Sequence, residues 1–378
     1  MDWQGITEFI ISKKLERNLQ KFFSSFPHVS ENGVYSPLEN IEWTAGFWTG
    51  ILWLAYLSTK REEFRTTILS LLPSFADRLF WGRNTDTHDL GFLYFLSCVP
   101  GWEFLQYRSS FDVALSAAER LSKRFHPRGG YIQAFGEFPS EGEETETLVI
   151  VDSLMNLPLL YWAYRRTGCK QYMHIAIRHA QTIRSLLLRE DGSTYQACRF
   201  RVPEEQPVWF GTLQGYNDTS CWSRGQAWAI YGFTLSYYYT GLESFLQSAL
   251  RAAEYFLSHL PQDKICYWDL AFIDGSEPRD SSAAAIAASG LFELASIVAL
   301  KDKERGSFLR EEALNILHNL TIYCLAPDDS NHDGFLLHAT YHLPQGLGID
   351  ESCIWGDYFY LEGLLKAQGA PFSLWYYR

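Results

Sequence analysis

A chain of 378 residues, 47% hydrophobic and 20% charged, can bury a large core, which excludes global disorder. Its formal net charge of −12 lacks the basic footprint that nucleic acid or an anionic membrane surface demands, but leaves a small acidic substrate open. Aromatic residues make up 16%, a surplus suited to sugars, whose C–H faces a Trp or Tyr ring covers.

In chain order, apolar residues at helical spacing predict amphipathic helices over 6–23, 66–79, 111–125, 172–188, 243–260 and 308–325. Between them lie six nearly uncharged segments rich in Gly, Ala and aromatics, opening at Trp43, His88, Asp152, Trp222, Asp280 and Trp355. A helix apolar all round is buried all round. Half-exposed and buried helices therefore alternate six times, which predicts an all-α fold, an (α/α)6 barrel built from six helical hairpins. No charge run or Gly/Ser linker divides the chain, so residues 1–378 read as a single domain. Pro158 falls inside the third buried segment and should kink that helix or delay its start. The longest polar loops are expected over 129–147 and 202–221.

The seven cysteines are odd in number, widely spread and without a C-x-x-C pair, so they read neither as a disulfide framework nor as a zinc site. Met1-Asp2-Trp3-Gln4 lacks the basic start of a secretory signal, and residues 51–57 are too short an apolar run to span a bilayer. The expectation is a cytoplasmic protein, monomer or homodimer, with no membrane or nucleic-acid partner, no metal and no cofactor.

In a closed hairpin barrel the inner helices run parallel and their N-termini share one rim. That rim would gather Trp43, His88, Asp89, Asp152, Trp222, Arg224, Asp280, Trp355 and Asp357. Asp280, ahead of Ser281-Ser282, and Asp357 read first as helix caps. Asp152 differs, because it lies between Leu148-Val149-Ile150-Val151 and Leu154-Met155. A carboxylate buried there needs partners or a raised pKa. His88-Asp89-Leu90-Gly91-Phe92 reads equally as a site or as a core histidine. Arg224, the one cation in its segment, suits a clamp for a substrate carboxylate or an ion pair with a neighbouring Asp. Histidines on the outer helices, such as His174, His179, His259 and His318, read as surface or internally satisfied residues. The sequence contains no H-E-x-x-H, Walker loop, G-x-G-x-x-G or G-x-S-x-G.

Six blocks in order carry a resemblance: Trp43-Thr44-Ala45-Gly46-Phe47-Trp48, His88-Asp89-Leu90-Gly91-Phe92, Val151-Asp152-Ser153-Leu154, Trp222-Ser223-Arg224-Gly225-Gln226, Arg279-Asp280-Ser281-Ser282 and Trp355-Gly356-Asp357-Tyr358. Together they resemble the unsaturated glucuronyl hydrolases of glycoside hydrolase family 88. The resemblance implies an (α/α)6 barrel, no metal, and an unsaturated oligosaccharide left by polysaccharide lyases as substrate. It makes Asp152 the general acid/base and Asp89 its partner carboxylate. Trp43, His88, Gln214, Arg224 and Trp228 match substrate-contacting positions, and Phe135 stands where some members have Trp. Trp222 and Trp355 join them from the rim. The chain departs from the family at Gln196, where some members carry a substrate-contacting His, at Leu213, which replaces a polar residue, and at Ala45, where Asp is frequent. The implied reaction is hydration of a C4=C5 vinyl ether, begun by protonation at C4. Rival readings are an unsaturated rhamnogalacturonyl hydrolase, another (α/α)6 glycosidase, and a non-catalytic helical scaffold that binds carbohydrate.

Overall fold

A computed structural model describes residues 1–140, 142–329 and 331–377. The six uncharged segments become the inner wall of a ring. They are Ala45–Thr59, Leu90–Phe95 with Cys98–Leu105, Val151–Asn156 with Pro158–Thr167, Ser223–Thr240, Ser281–Val298, and Ile354–Ala367. Each packs against the next, and Ile354–Ala367 returns to Ala45–Thr59 to close the ring. Outside them lie Glu62–Phe80, Arg108–Ser122, Lys170–Leu186, Glu243–Ser258 and Lys303–Tyr323. The sixth outer position is filled by the N-terminal helix: Trp3–Phe9 packs on Ile354–Ala367, so the first segment of the chain completes the last hairpin.

The lack of charge explains the inner positions, since a helix with no polar face has nothing to offer water. Ser281–Val298 is long and apolar enough by composition to cross a membrane, but 83% of it is buried in the barrel wall. Close approach between inner helices depends on glycine at two points beside the site. A Cβ on Gly46 would lie 2.0 Å from the carbonyl oxygen of Phe92, and one on Gly91 would lie 2.2 Å from Cα of Asn156. The ring interior is filled by aromatic side chains. Trp228 packs on Phe92 and Phe359 (centroids 5.2 and 5.3 Å), and Trp375 stacks on Phe95 and Phe359 (5.8 and 6.0 Å). Trp375, from the C-terminal segment, thus plugs the interior between several inner helices.

The two faces of the ring differ in their connections. On one face inner helices reach their outer partners through turns as tight as Lys60-Arg61 and Gly241-Leu242, the latter with Gly241 left-handed at φ 68°. On the other face the chain takes long excursions before each new inner helix. Two of these, expected as loops, instead form a three-stranded antiparallel sheet, Thr145–Ile150 with Ala197–Val202 and then Gln206–Gly211. Alternating burial along Ala197–Val202 follows the period-2 pattern of a strand with one covered face. Pro158 sits at the first position of its α-helix, and a 3₁₀ turn, Val151–Asn156, precedes it. The helix start is delayed, and the delay leaves Asp152 in a turn between strand and helix.

Candidate active site

The long-loop face carries a cavity of about 650 Å³. Of the residues expected from sequence it is lined by Trp43, His88, Asp89, Phe135, Asp152, Gln214, Trp222 and Arg224.

Three bonds fix the turn that bears Asp152. Val151 N–H donates to the carbonyl of Gln196 (2.9 Å), extending the pairing of strand Thr145–Ile150 with its neighbour. Ser153 Oγ donates to the carbonyl of Ile150 (2.5 Å). His179 Nε2 lies 2.6 Å from Ser153 Oγ, while its Nδ1 accepts from the backbone N–H of Ile132 (2.9 Å). An Nδ1 that accepts carries no proton, so the neutral ring holds its hydrogen on Nε2 and donates it to Ser153. Burial pushes the His179 pKa down to about 3, in keeping with that tautomer. His179 is one of the satisfied outer-helix histidines, and what satisfies it is the turn of the candidate acid.

Asp152 itself has no such partners. Its Oδ1 is buried with no hydrogen-bond partner among the described residues. Burial, and then the charge of Asp89, push its pKa up to about 7, while Arg224 pulls the other way. Asp89 is better supported: Thr87 Oγ1 donates to its Oδ2 (2.8 Å), and its own N–H donates to Thr87 Oγ1 (3.1 Å). Burial raises Asp89 to about 6 against the opposing pull of Thr87, Arg78 and Arg124. His88 Nε2 lies 3.4 Å from Asp89 Oδ1. Burial, with Arg124 nearby, lowers His88 to about 3, so the ring is neutral and the contact is not an ion pair.

Around these carboxyls stand aromatic rings and the cation Arg224. The guanidinium of Arg224 lies 4.4 Å over Trp222 and 5.4 Å from Trp355. Of its two sequence readings, the geometry fills the ion pair. Nη1 bonds Asp280 Oδ2 (2.5 Å) and the Thr340 carbonyl (2.7 Å), and Nη2 bonds the Tyr341 carbonyl (2.5 Å). The charge still forms part of the cavity wall. Gln214 accepts from Gln196 Nε2 (2.8 Å) and donates to the Tyr341 carbonyl (3.0 Å). Gln196 is buried, and its Oε1 gathers Thr212 Oγ1, Leu213 N–H and Gln214 N–H, so it shapes the loop and is not among the cavity-lining residues.

Two residues expected to touch substrate lie behind the wall. Trp228 sits one helical turn beyond Arg224, fully buried between Phe92 and Phe359. Trp355 is fully buried beneath Trp43 (5.0 Å) and donates its indole N–H to Ser282 Oγ (3.0 Å). Trp355 thereby supports Trp43, Tyr341 and Arg224, which do face the cavity, whereas Trp228 packs in the core. Asp280 and Asp357 are likewise off it. Asp280 caps its helix, accepting from Ala283 N–H (3.2 Å). Asp357 lies within the first turn of its helix and, contrary to expectation, is no cap. It accepts from Tyr35 Oη and from the N–H groups of Phe335 and Leu336 (2.8, 2.8 and 3.0 Å).

The structure adds Arg78, Thr87, Tyr341 and His342 to the cavity. Arg78 spends its donors on Asn40 Oδ1 and on the carbonyls of Ile41, Glu42, Arg83 and Asn84, which binds the rim loops together. Tyr341 and His342 come from the hairpin Ala339–His342 with Leu347–Glu351, a polar stretch that carries no buried-segment signal. Thr87 lies directly before the His88-Asp89 block and was within reach of the sequence, as a hydroxyl two residues from a buried carboxylate. Among the described residues no group of three or more His, Cys, Asp or Glu side chains is placed to hold a metal ion.

Residues 16–302 match the family model described as Glycosyl Hydrolase Family 88. An unsaturated glucuronyl hydrolase from Bacillus sp. (strain GL1) is 41% identical over 364 residues, covering 96% of this chain and 96% of that relative. An unsaturated chondroitin disaccharide hydrolase from Streptococcus pyogenes serotype M1 is 38% identical, covering 94% of this chain and 88% of its own. The crystal structure of the Bacillus sp. GL1 unsaturated glucuronyl hydrolase, described as responsible for the degradation of glycosaminoglycan, matches with a TM-score of 0.92 at 39% identity over 99% of both chains. The chain belongs to glycosyl hydrolase family 88 and is a glycoside hydrolase.

Proposed function

We propose that Asp152 and Asp89 are the pair with which this enzyme hydrates the C4=C5 vinyl ether of an unsaturated uronic acid. That sugar forms the non-reducing end of a lyase-generated oligosaccharide of glycosaminoglycan type, as the names of the relatives suggest. The observation that carries this reading is Asp152: a buried carboxyl with an unpartnered oxygen, pushed up to about 7, on the wall of the cavity.

Protonated Asp152 gives its proton to C4, and oxocarbenium character develops at C5 and the ring oxygen. Asp152, now a carboxylate, takes a proton from the water that adds at C5, and so regenerates the acid. The resulting hemiketal opens by breaking the bond between C5 and the ring oxygen. C1 is left as a hemiacetal that expels the remaining sugar, and the uronate departs as a keto acid. One residue serves as acid and then base, unlike the two-carboxylate displacement at an anomeric carbon. Asp89, with the lower pKa, is ionised while Asp152 still holds its proton. Activity should therefore fall on the acid side as Asp89 takes up a proton and on the alkaline side as Asp152 loses its own.

Unsaturated chondroitin, hyaluronan, heparin and gellan fragments offered in turn, with the ultraviolet absorbance of the conjugated double bond followed, test the reaction. Hydration removes that absorbance. New reducing ends with the absorbance intact would mean ordinary glycosidic cleavage, and binding without turnover would mean a carbohydrate-binding scaffold. The seven cysteines are all unpaired, which fits action in a reducing compartment, and we place the enzyme in the cytoplasm on that ground.

A further inference from the structure

The two carboxyls of the proposed reaction stand on different elements, and one side chain joins those elements. Asp89 holds the capping position of Leu90–Phe95, where its carbonyl accepts from Leu93 N–H (2.9 Å) and so opens the helix. An aspartate there ordinarily turns its carboxylate back onto the second or third N–H of the helix. Asp89 makes no such bond. The N–H it would take, that of Phe92, donates instead to Asn156 Oδ1 (2.7 Å). Asn156 is the last residue of the turn Val151–Asn156, which bears Asp152. We propose that Asn156 is a positioning residue for Asp89: by capping the first turn of Leu90–Phe95 in its stead, it leaves the Asp89 carboxylate free to face the cavity.

The surroundings of Asn156 suit that role. The residue is 1% exposed, and a Cβ on Gly91 would lie 2.5 Å from its Cβ and from its carbonyl oxygen, so a glycine is what lets the amide reach Phe92. Because Phe92 N–H is a donor, the amide atom it meets is the oxygen, which identifies Nδ2 as the far atom. Nδ2 is buried with no hydrogen-bond partner among the described residues, yet the amide is felt at Asp89: burial raises that carboxyl, and Thr87, Arg78 and then Asn156 pull it back. With the cap supplied from outside, the Asp89 carboxylate accepts from Thr87 Oγ1 (2.8 Å) on the cavity wall. Without it, Phe92 N–H becomes a buried donor with no acceptor, and the carboxylate at the capping position is the group placed to satisfy it. Asp89 would then divide between cap and cavity, and only the fraction in the cavity could work. A backbone N–H bond also favours the ionised form, so the pKa of Asp89 would fall.

This role rests on the proposed reaction, so the test separates the two. The pH dependence of kcat and KM is measured per folded molecule for native enzyme, Asn156→Ala, Asp89→Asn and the double variant. Asn156→Ala should lose about tenfold in kcat with KM little changed, and its acid limb should move to lower pH by about one unit. Asn156→Ser, whose side chain ends a bond short of the amide oxygen, carries the same prediction and serves where the alanine variant does not fold. In the Asp89→Asn background the loss of Asn156 should change kcat by less than about twofold, since the carboxylate it serves is gone. An acid limb that stays in place, or moves to higher pH as it would if Asp89 merely lost a nearby amide, would overturn the role. So would a full further loss in the double variant, which would place the effect of Asn156 elsewhere. Native activity in Asp89→Asn would overturn the reading of Asp89 itself, and this role with it.

Discussion

The third and sixth inner segments open on the same signal, an aspartate sunk in apolar sequence, and the structure uses the two in opposite ways. Burial pushes both Asp152 and Asp357 up to about 7. Asp357 then receives three donors from Tyr35, Phe335 and Leu336 and ties those two stretches of chain to the last inner helix, away from the cavity. Asp152 receives none on its buried Oδ1 and faces the cavity. A buried carboxylate fully supplied with donors is a structural joint. The two share a raised pKa, so what separates them is access: the one with an unpartnered oxygen on the cavity wall can transfer its proton to a ligand.

Substitutions at the two positions should separate accordingly. The largest effect belongs to Asp152→Asn, which keeps the shape and removes the proton: kcat should fall by about two to four orders of magnitude. Its stability should move the other way. Because the folded pKa lies above the ordinary value, ionisation of Asp152 opposes folding, and stability is lost as pH rises through about 7. The variant should therefore melt higher than native enzyme at pH 8, as differential scanning calorimetry can show. A lower melting temperature with activity kept would make Asp152 a second joint.

Asp357→Ala should do the reverse. It strands a buried hydroxyl and two N–H groups and should cost about 2–4 kcal/mol in urea unfolding. Turnover per folded molecule should stay within about twofold of native. A variant as stable as native but inactive would place Asp357 in the chemistry.

A smaller loss is expected where the bracing of Asp152 is cut. Ser153→Ala removes the link between His179 and the Ile150 carbonyl, and about a tenfold fall in kcat with KM unchanged should follow from misplacement of the acid. His179→Gln, which can still donate toward Ser153, should lose less than His179→Asn. Equal losses in both, tracking stability alone, would reduce His179 to packing.

Much of this was legible in the sequence. Six uncharged segments among amphipathic ones specify the ring, because absence of charge around a whole helix leaves burial as its only stable place. Asp152 stood out for the same reason, as a charge where the pattern allows none. The contribution of Trp228 and Trp355 was misjudged, since an aromatic in a buried segment reads alike whether it faces a cavity or the core behind it. Tyr341 and His342 were invisible for the opposite cause: a polar hairpin gives no sign that it folds over the rim. The three-stranded sheet escaped notice because Leu148-Val149-Ile150 reads as part of the apolar run around Asp152 and the rest of the sheet borders loops rich in Gly, Pro and charge.

The central claim is that Asp152 stays protonated through burial and the neighbouring charge of Asp89, and the pH dependence of kcat/KM in native enzyme and Asp89→Asn tests it directly. Native enzyme should give a bell with an alkaline limb near 7. Removing the Asp89 charge lowers the pKa of its neighbour, so the limb should move to lower pH by about one unit, equivalent to about 1.4 kcal/mol, as an apparent value of the coupled pair. A limb that stays in place while the rate falls, or one that moves to higher pH, would contradict the account.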